Sequence, residues 1–120
     1  MKKDEKEQRQ HIKEEIIKCL NEMGVKIKSI ILFGSRARGE YTKYSDWDFL
    51  IIVNWNISLK EKRKIAKAIR ERLADFYIPC DVIVKSENEI EYYKDFIGTV
   101  SREALKEGIP LWSMRRLRNG

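Results

Sequence analysis

The chain holds 120 residues, 42% of them apolar and 37% charged, with 25 Lys and Arg against 19 Asp and Glu for a net charge of +6. That length supports one domain and excludes two independent cores, and the clustering of the apolar residues argues against wholesale disorder. The longest apolar stretches, Ile30–Phe33 and Phe49–Val53, fall far short of the roughly 20 residues that cross a bilayer, and the charged run from Met1 to Glu7 has no apolar signal region, so no membrane association and a cytoplasmic location are expected.

Between Asp4 and Met23, the apolar residues Ile12, Ile16, Leu20 and Met23 recur at helical spacing and Gly24 follows as a stop, which predicts an amphipathic helix over 4–23. Ile27–Phe33 is β-branched and ends at Gly34; Asp46–Val53 follows a turn-like stretch at 41–45; both read as buried strands. Ser58 with Glu61 has the capping-box spacing, and Ile65, Ile69, Leu73 and Phe76 continue it as one helical stripe. Cys80–Val84 is a short strand, after which Ser86 and Glu89 repeat the capping-box spacing before Ile90, Tyr93 and Ile97. Gly98 and Gly108 bracket a last short helix, and Ile109–Trp112 reads as an edge strand because Pro110 is tolerated there. The order predicts an α/β (α+β) domain over 1–112, a mixed sheet flanked by helices with its core at 27–112, followed by a basic tail at 113–120.

Charges of both signs interleave through 2–15 and 60–72, as on solvated helix faces, and only Arg115-Arg116-Leu117-Arg118 is unbalanced, so nucleic acid is not expected as a partner. Cys19 and Cys80 match no metal or redox spacing and read as reduced, packed thiols. His11, the only histidine, is expected exposed and outside the chemistry.

The informative segment runs from Gly34-Ser35-Arg36-Ala37-Arg38-Gly39 to Asp46-Trp47-Asp48. Side chains alternate along a strand, so Asp46 and Asp48 share one face while Trp47 and Phe49 share the other, where core packing is the expected role of Trp47. Two adjacent carboxylates repel unless a hard cation such as Mg²⁺ or Mn²⁺ lies between them. Asp81 opens the next strand; if that strand neighbours the first, three carboxylates can hold two metals about 3.5–4 Å apart, an arrangement suited to phosphoryl transfer. Gly34 at a strand-to-helix turn lets backbone N–H groups approach a phosphate, and Ser35 can cap that turn. Arg36 and Arg38 oppose the helix dipole by a few tenths of a kcal/mol each, a cost that a bound triphosphate would reverse.

The motif Gly-Ser-x10-Asp-x-Asp, met by Gly34, Ser35, Asp46 and Asp48 with the Arg36–Gly39 extension and the third acid Asp81, resembles that of the minimal nucleotidyltransferases, small members of the DNA polymerase beta nucleotidyltransferase superfamily. The resemblance covers roughly Ile27–Trp112. It implies a polymerase-beta palm-like mixed sheet, ATP bound by Gly34 and Ser35 with Arg36 and Arg38 alongside, and Mg²⁺, two ions in all, at Asp46 and Asp48. Asp81 would be the third metal ligand or the base that takes the acceptor's proton. Trp47 and Phe49 are bulkier than the family's usual residues there. Members this short resemble the antitoxins of HEPN toxin pairs, which implies AMP transfer from ATP to a tyrosine of a HEPN partner. Two other functions stay open: a masking module without catalysis, and adenylyl transfer to a small aminoglycoside-like acceptor. A homodimer or hetero-oligomer is compatible with a domain this small, which gains from burying more surface.

Overall fold

The computed structural model describes residues 2–54, 56–93 and 100–114. Its elements in chain order are α1 (Lys2–Glu22), β1 (Ile27–Phe33), α2 (Ser35–Arg38), β2 (Trp47–Val53), α3 (Leu59–Ala74), β3 (Cys80–Ser86), α4 (Glu87–Tyr93), α5 (Val100–Glu107) and β4 (Ile109–Ser113). The sheet order is β3-β2-β1-β4, with β1 antiparallel to both β2 and β4 and β2 parallel to β3. This is the mixed sheet expected, with Pro110 on an edge strand where its missing N–H costs no central ladder bond.

α1 forms because Ile12, Ile16 and Leu20 fall on one stripe and are fully buried, each contributing about 1.5–3 kcal/mol. It stops at Gly24 (φ 73), where the Val25 N–H reaches the Leu20 carbonyl at 2.9 Å and the Gly24 N–H reaches that of Asn21 at 3.1 Å. This paired closure needs a left-handed residue at the turn. α3 starts on the predicted capping box, with Glu61 N–H donating to Ser58 Oγ and Ser58 N–H to the Glu61 carboxylate. The second box forms too, between Ser86 and Glu89 at the head of α4.

Strand alternation separates two cores. Ile30, Leu32, Trp47, Phe49, Ile51 and Val53 face α1 and α3, while Ile31, Leu50 and Ile52 face Ala104 of α5. Asp48 belongs to the second face by period-two alternation with Leu50, at the sheet end beyond its apolar cover. Several expectations shift. Met23 lies beyond the end of α1 and is exposed, and Phe76 lies past the end of α3, half-exposed and perpendicular to the His11 ring. His11 is thereby only partly exposed, within 3.5 Å of the Glu15 carboxylate. β3 runs two residues further than the β-branched run suggested, because Lys85 and Ser86 continue the ladder with Ile52 and Val53. Ile97, Gly98 and the basic cluster at 115–118 lie outside the described residues.

Candidate active site

β1 delivers the chain into Gly34, whose φ of 77° and ψ of −160° lie in a region essentially confined to glycine. The Gly34 carbonyl accepts from the N–H groups of Ala37 at 3.0 Å and Arg38 at 3.2 Å. A Cβ at this position would run into the Asp48 carboxylate. Gly34, not Ser35, is the N-cap of α2, and no side chain caps that turn; the cap expected from Ser35 is not made, and Ser35 instead opens the four-residue helix. Gly39 (φ 78) ends it with its N–H on the Ser35 carbonyl.

The acids come together through register. β2 and β3 start side by side, with the Trp47 N–H on the Pro79 carbonyl at 3.0 Å, Trp47 opposite Cys80 and Asp48 opposite Asp81. Residues in register on parallel neighbours point to the same face, so Asp48 and Asp81 share it, and Asp46 precedes β2 by one residue on the same alternation. Phe33, the last residue of β1, lies opposite Asp48 on the other side. The Asp48 carboxyl is pushed above the ordinary aspartate range, first by burial and then by the charges of Asp81 and Asp46, with Arg38 opposing weakly. The neighbouring Cys80 thiol is pushed up to about 11, mainly by burial.

The two arginines part company. Arg36 is 5% exposed. Its guanidinium donates to the carbonyls of Thr42 at 3.1 Å and Ser45 at 3.1 and 3.2 Å, and lies 4.4 Å from the centre of the Trp47 ring and 4.6 Å from that of Tyr41. Glu5 of α1 stands 3.9 Å from it. The structure therefore sets Arg36 apart from the phosphate-binding group in which the sequence placed it: its donors already hold the 42–45 loop that leads into Asp46. A buried cation is tolerable here because carbonyl dipoles and two π faces replace its water. Arg38 is exposed, pairs with Glu40 at 2.8 Å and acts electrostatically on Asp48. Trp47 is 1% exposed and stacked on Phe49 at 6.2 Å, so it packs the core and offers no open face to a base. The loop-anchoring role of Arg36 had a sequence signal, aromatic residues at 41 and 47 on either side of a polar loop, but that signal acquires meaning only once the ring positions are known.

The donor set fits a hard cation, since three carboxylates share one sheet end and Asp48 bears the strain of that arrangement in its raised pKa. Among the described residues no group of three or more His, Cys, Asp or Glu converges closely enough to hold a metal ion unaided.

The family described as "Nucleotidyltransferase domain" matches residues 13–110, and the chain belongs to that family. Two Methanocaldococcus jannaschii proteins are similar to it. One, named "Putative protein adenylyltransferase MJ0604", is 33% identical over 87 residues, 72% of this chain and 80% of its own length. The other, "Putative protein adenylyltransferase MJ0141", is 55% identical over 42 residues, so the match spans 35% of this chain and less than half, 42%, of that relative. Among solved structures, a "putative nucleotidyltransferase" from Sulfolobus solfataricus shares the fold with a TM-score of 0.62 at 19% identity, covering 92% of this chain and 85% of that one. A toxin-antitoxin structure with AMP-PNP gives 0.57 at 18% identity over 85% and 73%. A structure of tri-AMPylated Shewanella oneidensis HEPN toxin in complex with MNT antitoxin gives 0.55 at 19% identity over 88% and 73%. No described helix is long and apolar enough to cross a membrane.

Proposed function

We propose that this chain transfers AMP from ATP to a hydroxyl of a partner protein, a tyrosine of a HEPN-domain toxin, and so acts as the antitoxin of a pair in the cytoplasm, where ATP is supplied. The observation that carries this reading is the register that sets Asp48 opposite Asp81 with Gly34 against the Asp48 carboxylate. The names of the M. jannaschii relatives support a protein acceptor, and the HEPN toxin of the Shewanella structure supports its class.

A divalent cation held by Asp46 and Asp48, with Asp81 beside them, would neutralise the triphosphate and the charge that develops as its bond breaks. The missing side chain of Gly34 leaves room for the Asp48 carboxylate, and the turn it makes would offer backbone N–H groups to the nucleotide phosphates. Arg38 adds a cation at the same edge. The acceptor oxygen forms a bond to the α-phosphorus, the bond from that phosphorus to the bridging oxygen breaks, and pyrophosphate leaves. The hydroxyl proton passes to a carboxylate of the cluster, for which Asp81, exposed at the start of β3, is the proposed base.

Intact-mass measurement after incubation with ATP, Mg²⁺ and a co-purifying HEPN-domain protein tests the reading. One or more AMP units should appear on the partner and vanish with Asp46→Ala or with chelator. Modification at the normal rate by Asp46→Ala would sink the catalytic assignment, and ATP binding with no gain on any protein would leave a masking module in its place.

A further inference from the structure

A second surface lies along the free edge of the sheet. β3 ends the strand order, so its described pairing is with β2 alone. A strand with one open backbone edge is a template for another strand. Along that edge, between β3 and α3, runs a groove of about 330 Å³ with Ala66, Val82 and Ile83 in its wall and Arg63, Arg70 and Lys85 at its rim. Among the described residues none of these three cations forms an ion pair, whereas Lys62 on the same wall is tied to Glu89.

The charge is concentrated here. α3 carries seven Lys and Arg against two Glu, nearly the whole excess of a chain whose net charge is +6. The interleaving expected at 60–72 is therefore nominal: the helix is a basic wall. Cations on an edge strand discourage pairing with a second copy of the same basic chain, and the same cations make the edge complementary to an acidic strand. The aliphatic wall favours a peptide over a nucleic acid, because among the described residues the lining includes no aromatic ring on which bases could stack.

We propose that this edge receives an extended acidic segment of a partner protein as an added strand, with apolar side chains against Val82 and Ile83 and carboxylates against Arg63, Arg70 and Lys85. None of these residues belongs to the acid cluster or the Gly34 turn, so the surface stands or falls apart from the transferase reading.

Fluorescence anisotropy with a labelled seven-residue peptide alternating glutamate and valine tests it on the full chain. Saturable binding is expected, weakening with salt and by about tenfold in Arg63→Glu/Arg70→Glu, and lost when alternate peptide nitrogens are methylated, which removes strand hydrogen bonds. Circular dichroism checks that the variant is folded, and Lys85→Glu on the strand itself gives an independent reading. No binding, binding indifferent to these charges, or displacement of the peptide by a short oligouridylate that depends on the same arginines would overturn the proposal, the last in favour of a nucleic-acid surface.

Discussion

The Asp48 carboxylate occupies the space that a side chain on Gly34 would need. A Gly34→Ala substitution therefore meets two penalties, a backbone conformation closed to L-residues and a collision with the half-buried acid. The expected cost is about 2–3 kcal/mol of stability, read from urea unfolding, together with loss of AMP transfer in protein that circular dichroism shows to be folded. A fully active Gly34→Ala chain would mean that Asp48 can give way without loss of the chemistry.

Arg36 is expected to position Asp46 without touching phosphate. Arg36→Lys keeps the charge but not the planar fork that reaches the Thr42 and Ser45 carbonyls. Stability should fall by about 2 kcal/mol and the turnover rate by roughly tenfold to a hundredfold as the 42–45 loop loosens, with ATP affinity little changed. A rise in the ATP dissociation constant that accounts for the whole loss would return Arg36 to the phosphate.

Glu15 couples α1 to α3 and makes stability depend on acidity. Arg72 Nε donates to it at 2.8 Å, and this hydrogen bond holds the Glu15 carboxyl below its ordinary value of 4.5 although burial pushes the other way. A carboxylate whose folded pKa is depressed contributes stability above its unfolded pKa and loses it as pH falls through the folded one. Wild type should thus exceed Glu15→Gln by about 1–2 kcal/mol near neutral pH. The gap should close as pH drops below 4.5 and vanish in stronger acid; a gap constant with pH would show that the pair matters only through packing.

Tyr77 stands in the left-handed conformation, φ 61°, at the position that closes α3, and it is 93% exposed. Its N–H reaches the Ala74 carbonyl and that of Ile78 reaches Leu73, the closure that Gly24 makes after α1. Tyr77→Gly relieves the strain and should raise stability by up to about 1 kcal/mol, visible as a higher melting temperature. An unchanged or lower one would place a stabilising contact on the exposed ring.

The elements were legible in the sequence because they rest on local physics. The Ile12, Ile16, Leu20 stripe, the capping boxes at Ser58 and Ser86, the bounds of β1 and the edge position of Pro110 all follow from periodicity, side-chain-to-backbone bonding and the missing proline N–H. The pairing of Asp46 and Asp48 on one face follows from the alternation of a strand, and Asp81 was legible as a third acid opening a similar strand. Three things required the tertiary structure. Whether Asp81 joins the others depends on β3 lying parallel to β2 in a register that sets Asp48 opposite it, and a register is decided by which faces bury apolar residues across the whole sheet. Arg36 and Arg38 are identical side chains two residues apart, yet one is drawn beneath two aromatic rings and a loop while the other stays in water, a difference made by Tyr41 and Trp47 arriving from elsewhere along the chain. The basic groove exists only because α3 packs beside the strand that happens to end the sheet, which turns charges that look like an ordinary solvated face into one rim.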